Sequence, residues 1–172
     1  MLQFDDPRWA ELCASSGGDA NWLRQWLGRL LDRPDDLDLF REDCWSLCSE
    51  EETWAPAFAA APYLVEVARR AAQPARLHYV CFLGAVATYR APPDESEPCS
   101  TCPPELEAEF HGAIAAASEM AIGLLAHATD EPDVRCLLAA IAAFKGYNGL
   151  ARGIVDFQHA QRPEAPEEEI EF

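Results

Sequence analysis

The chain has 172 residues, 49% of them apolar, and thirty acidic residues against thirteen basic ones give a net charge of −17. The apolar share excludes wholesale disorder, a chain of this length buries roughly two-thirds of its unfolded surface in one domain, and no run approaches the roughly 18 uncharged apolar residues that span a bilayer. The negative charge repels phosphate backbones and anionic lipid, so it disfavours direct nucleic-acid or membrane binding and favours a basic protein partner.

The first residues, Met1-Leu-Gln-Phe-Asp-Asp-Pro7, lack the basic and apolar regions of a secretory signal, and a cytoplasmic location is expected. Asp19 is placed to cap a helix to about Leu31, with Trp22, Leu23, Trp26, Leu27 and Leu30 on one apolar stripe. Pro34 and the acids Asp35, Asp36 and Asp38 suit the positive end of a second helix, which should run to about Cys48. Thr53 is the candidate cap of an alanine-rich helix with Phe58, Ala61, Leu64, Val65 and Ala68 on one face and Pro62 inside it. Pro74 opens a helix to about Tyr89 whose apolar residues surround it almost continuously, as in a central element. Residues 91–104 hold five prolines and read as the longest surface loop. Helices then follow over about Glu105–Ala128, Glu131–Lys145 and Asn148–Gln158.

These elements form three helical hairpins, 19–48, 53–90 and 105–145, with an extra helix at the C-terminal end. Each hairpin has about the length of a two-helix solenoid repeat. The expected organisation is one all-α domain over 1–161 and a flexible acidic tail over 162–172. A compact orthogonal helical bundle is the alternative to a stack of hairpins.

The acidity is local. Residues 32–52 carry nine acids and two bases, residues 94–109 six acids and no base, and residues 163–172 five acids and no base. Outside those three blocks the chain is close to neutral. Such runs are either solvated faces or docking surfaces for a basic partner.

Residues able to carry chemistry are few. Cys13, Cys44, Cys48, Cys81 and Cys136 sit among apolar residues at helical spacing, the pattern of buried reduced thiols. Cys99-Ser-Thr-Cys102 has a metal-ligand spacing, but a structural zinc site needs four ligands and the second pair is missing. It also lacks the strand-to-helix context of a thioredoxin-type motif, so it reads as an exposed loop pair. His78, His111, His127 and His159 lie on separate helices, and Ala108 occupies the place where a di-iron bundle would need the glutamate paired to His111. No phosphate loop, dinucleotide fingerprint or nucleophile elbow is present. No metal, cofactor or catalytic residue is therefore expected.

All five tryptophans, at positions 9, 22, 26, 45 and 54, fall in the first third. Trp22, Trp26 and Trp45 have core spacing, as do Leu47, Leu64 and Val65. Trp54 directly follows Glu50-Glu51-Glu52-Thr53, where it is either a helix-start staple or an interface anchor ringed by charge.

The stretch from Cys44 to Arg70 joins Trp45-Ser-Leu47, this acidic turn, Trp54, and Ala59-Ala-Ala-Pro-Tyr-Leu-Val-Glu-Val-Ala68. It resembles one unit of a HEAT-like helical repeat, and in particular the units of small bacterial immunity proteins of polymorphic toxin systems. Where that family often has Gln-Gly before the aromatic, this chain has Glu51-Glu52-Thr53. The resemblance implies a HEAT-like stack with a bend at Pro62. It also implies a non-catalytic protein that binds and neutralises a cognate toxin, a basic enzyme acting on nucleic acid or nucleotides. The acidic residues Glu50, Glu51 and Glu52 with Trp54, and Asp94, Glu95 and Glu97 in the long loop, are the candidate partner-binding set. Two other readings stand beside it. One is a small helical enzyme or ligand-binding protein with a cleft lined by Glu107, His111 and Glu119, and the other is a general HEAT-like adaptor.

Overall fold

The computed structural model describes residues 1–15, 18–48, 52–89 and 102–160. Among them are eight α-helices: α1 (Arg8–Ser15), α2 (Ala20–Asp32), α3 (Leu37–Asp43), α4 (Ala55–Arg70), α5 (Gln73–Thr88), α6 (Glu107–Leu125), α7 (Glu131–Phe144) and α8 (Asn148–Ala160). The protein is all-α, and its helices pair as hairpins α2–α3, α4–α5 and α6–α7. Helix α4 lies against both α2 and α6, and α5 lies against α7, so the hairpins stack layer on layer with α8 closing the end on α7 and α5. No helix of the described residues is long and apolar enough to cross a membrane.

Local chemistry explains most boundaries. The Asp19 carboxylate accepts the backbone N–H of Asn21 at 2.8 Å, starting α2 as its sequence position suggests. Asp36, rather than Pro34, starts α3 by accepting from the Leu39 N–H at 2.9 Å. Helix α7 ends at Gly146, whose φ of 81° is open to glycine. The Tyr147 and Gly146 N–H groups there close back onto the Ala142 and Ala143 carbonyls, both at 2.9 Å.

Helix α4 is buried on nearly every side. Its alanines let α2 and α6 approach closely, while Phe58, Tyr63, Leu64 and Val67 fill the space between layers. It runs unbroken through Pro62, although proline removes one helical donor. Helix α5 touches α4, α6, α7 and α8, the central position expected of it.

Helix α1 has no counterpart among the sequence expectations. It forms because Trp9 is fully buried and its indole N–H donates to the Gln3 carbonyl at 2.9 Å. Phe4 stacks on Tyr63 with 4.6 Å between ring centres, and Tyr63 donates its hydroxyl to the Leu2 carbonyl. The Arg24 guanidinium holds the Phe4 carbonyl at 2.8 Å.

Candidate functional site

Two aspects of the expected site change once the chain is folded. Helix α3 does not continue to Cys48: it stops at Asp43 and gives way to a 3-10 turn over Cys44–Ser46. The Ser46 hydroxyl donates to the Asp43 carbonyl at 2.7 Å, and the Leu47 N–H closes on the Cys44 carbonyl at 3.1 Å. A 3-10 turn advances 120° per residue where an α-helix advances 100°, and the change of phase rotates the next side chains. Cys44, Leu47 and Cys48 face the core, while Trp45 is thrown outward and is 63% exposed. Its expected core position is therefore corrected.

Thr53 is likewise not a helix cap. Helix α4 begins after Trp54 with no side-chain cap, and Thr53 is fully buried with its hydroxyl donating to the Val86 carbonyl of α5 at 3.0 Å. Cys48 and Thr53 form an isolated antiparallel bridge, and the Trp54 N–H reaches back to the Leu47 carbonyl at 3.1 Å. The two feet of the acidic turn are thus pinned together and to α5. Trp54 and Glu52 are half-buried beside this base. Glu50, Glu51, Asp94, Glu95 and Glu97 lie outside the described residues, as does the acidic tail. The exposed aromatic of this region is Trp45, eight positions ahead of Thr53.

Trp45 stands at the edge of a cleft of about 370 Å³. Phe40, Arg41, Cys44 and Cys48 line one side, α5 supplies His78, Cys81 and Gly84, and α7 supplies Cys136 and Ala140. The α5–α7 wall is tight: a methyl group at Gly84 would stand 2.5 Å from the Ala140 Cβ and 2.7 Å from its Cα. Behind the other wall, Trp26 donates its indole N–H to the Leu39 carbonyl at 2.9 Å and stacks on Phe40, which meets Tyr79 and Phe82 edge-on.

Burial holds the His78 imidazole below the ordinary histidine range, with Arg41 adding to the shift and Asp133 opposing it. Burial also pushes the Cys44 and Cys48 thiols up to about 11, so both are inert hydrophobes at neutral pH. Cys13 is buried as expected, whereas Cys81 and Cys136 are only half-buried because they face the cleft. Cys102 is buried too, against the exposed position expected for it, just ahead of the turn over Pro104–Leu106. Cys99 lies outside the described residues.

Glu107, His111 and Glu119 are exposed on α6 and do not line this cleft. No group of three or more His, Cys, Asp or Glu side chains suited to hold a metal occurs among the described residues. The cleft itself was not foreseen, because its walls come from helices far apart in sequence. Comparison with protein-family models, with curated proteins and with solved structures finds no match.

Proposed function

We propose that this chain is a non-catalytic immunity protein that binds and neutralises a cognate bacterial toxin domain, a basic enzyme acting on nucleic acid or nucleotides. The observation that carries this reading is Trp45, 63% exposed within the 32–52 block, which holds nine acids and two bases. A large aromatic that gives up burial within an acidic stretch of sequence suits an interface anchor, because its ring supplies contact area while the carboxylates of that stretch select a basic partner. The Cys44–Arg70 resemblance points the same way, as does the lack of any recognisable catalytic motif in the sequence. Binding of this kind is stoichiometric and calls for no cofactor.

Co-expression with the toxin-like product of a neighbouring reading frame tests the proposal. Protection is expected, and Trp45→Ala should weaken the isolated complex by roughly thirtyfold, the effect of losing an anchor worth about 2 kcal/mol. Failure to protect, together with no captured basic partner, would sink the reading. If the acid blocks steer encounter, the association rate falls several-fold from low to physiological salt, and neutralising Glu50, Glu51 and Glu52 flattens that dependence.

The cleft favours a second reading, a small-ligand binder. Its volume of about 370 Å³ lies within the range of roughly 300–1,000 Å³ typical of ligand pockets. A small molecule retained through native purification would support it over the immunity reading.

A further inference from the structure

The four cysteines around the cleft divide into two chemically different pairs. Cys44 and Cys48 are fully buried among apolar groups, and Cys48 also lies 3.3 Å from the Thr53 hydroxyl. Cys81 on α5 and Cys136 on α7 are instead half-buried and line the cleft from two helices packed against each other. Gly84 is one turn beyond Cys81 and Ala140 one turn beyond Cys136, and between those two positions there is no room for a methyl group. The cysteines therefore occupy matching places one turn before the crossing, close enough for each thiol to act on the other. A close crossing of this sort suits a disulfide, whose Cα atoms must stand about 4.4–6.8 Å apart.

The nearness of the two thiols also makes the pair unequal. Its neighbour pushes the Cys81 thiol up, with burial adding to the effect, while the Cys136 thiol is pulled down by Cys81 against the effect of burial. Asp133 opposes ionisation of both without reversing that order. Cys136, the less deeply enclosed of the two, is therefore assigned as the nucleophile and Cys81 as the partner that keeps its proton.

We propose that Cys136 and Cys81 form an oxidation site, at which hydrogen peroxide entering the cleft is reduced and the two sulfurs join in a reversible disulfide between α5 and α7. The Cys136 thiolate attacks one peroxide oxygen, the O–O bond breaks, and a sulfenic acid and hydroxide are formed. Cys81 gives its proton to that hydroxide, and its sulfur then displaces the sulfenic oxygen, which leaves as a second hydroxide and takes up the proton first released by Cys136. The two thiols thereby lose two electrons in all, and the peroxide becomes two waters. An external dithiol reverses the bond by thiol–disulfide exchange. This site is independent of the toxin-binding reading.

The test treats the full chain with hydrogen peroxide, traps free thiols with an alkylating agent, and locates the cross-link by peptide mass spectrometry. A Cys81–Cys136 link that disappears on adding dithiothreitol is expected. In Cys81→Ser the link is lost and a sulfenic acid accumulates at Cys136, where dimedone captures it. In Cys136→Ser both the link and the dimedone adduct are lost. Without peroxide, alkylation at neutral pH should label Cys136 at least tenfold faster than Cys44 or Cys48. A link between other cysteines, dimedone capture at Cys44 or Cys48, or two free thiols after full oxidation of added glutathione would each overturn the proposal. Should a serine variant lose its helical circular dichroism, cross-link mapping and alkylation order in the unaltered protein decide the matter.

Discussion

The first hairpin and the α5–α7 seam are held together by opposite means. Around α2 and α3, large rings make the contacts: Trp22 stacks on Trp26, Trp26 on Phe40, and Phe40 reaches Tyr79 and Phe82. In the seam two small residues set the spacing, and Gly84 meets Ala140 with almost no space between backbones. Rings fill volume and tolerate little truncation, whereas a small-residue crossing gains its contacts from proximity and tolerates little addition. The two regions should therefore respond with opposite sensitivity to the removal and addition of atoms.

Trp26→Ala gives the largest expected effect. The indole is fully buried and its N–H satisfies the Leu39 carbonyl, so truncation leaves both a cavity and an unpaired acceptor. Denaturant unfolding should show a loss of about 3–5 kcal/mol; a loss under about 1 kcal/mol would mean that the ring ladder does not hold the hairpin. Next comes Gly84→Ala. Alanine is the better helix former by about 1 kcal/mol, yet the added methyl would meet the Ala140 backbone, which cannot swing aside. The clash wins, and a net loss of about 1–3 kcal/mol is expected. Ala140→Gly in the same background should recover part of it, and a double-mutant cycle showing no coupling would break the proposed contrast.

Much of this architecture is legible in the sequence because it depends on local signals. The Asp19 cap, the alanine-rich face of α4 and the starts of α5 and α7 near proline all follow from residues close to one another. The rest depends on contacts between distant segments. Thr53 looks like a helix cap until Val86, thirty-three positions away, takes its hydroxyl. Trp45 looks like core while α3 is extended to Cys48, and it turns outward only because the helix tightens at Cys44. Helix α1 escapes notice because it is only eight residues long: Trp9, Leu12 and Cys13 fall at helical spacing, but the helix is held by Trp9 packing on Tyr63 and by Arg24 gripping the segment before it. Cys81 and Cys136 show ordinary core spacing, and their pairing depends on how α5 crosses α7.

His78 lies where the two regions meet, on α5 between the influence of Arg41 and that of Asp133. Burial depresses its folded-state pKa, so the unfolded chain takes up the proton first and acidification favours unfolding. This contribution to stability is intact above the unfolded value of about 6.5 and declines as pH falls through it. Replacing His78 with Gln should flatten the stability profile between about pH 7 and pH 5. An unchanged slope in that window would show that protonation of the cleft wall is not coupled to folding.

Trp45→Ala carries the smallest expected effect on stability and separates burial from residue type. Trp45 belongs to the ring-rich part of the chain, and a rule based on composition alone would assign it a cost like that of Trp26. With 63% of its surface already in water, truncation removes few contacts and should shift unfolding by no more than about 0.5 kcal/mol. A loss near that of Trp26→Ala would mean that Trp45 belongs to the ladder after all, and the interface proposal would lose its anchor. A near-zero effect on folding, combined with a large loss of partner binding, would mean instead that the turn at Cys44 presents this ring at some cost in burial. The first hairpin would then have two separable duties, with Trp26 maintaining the structure on its inner face and Trp45 recognising the partner on its outer face.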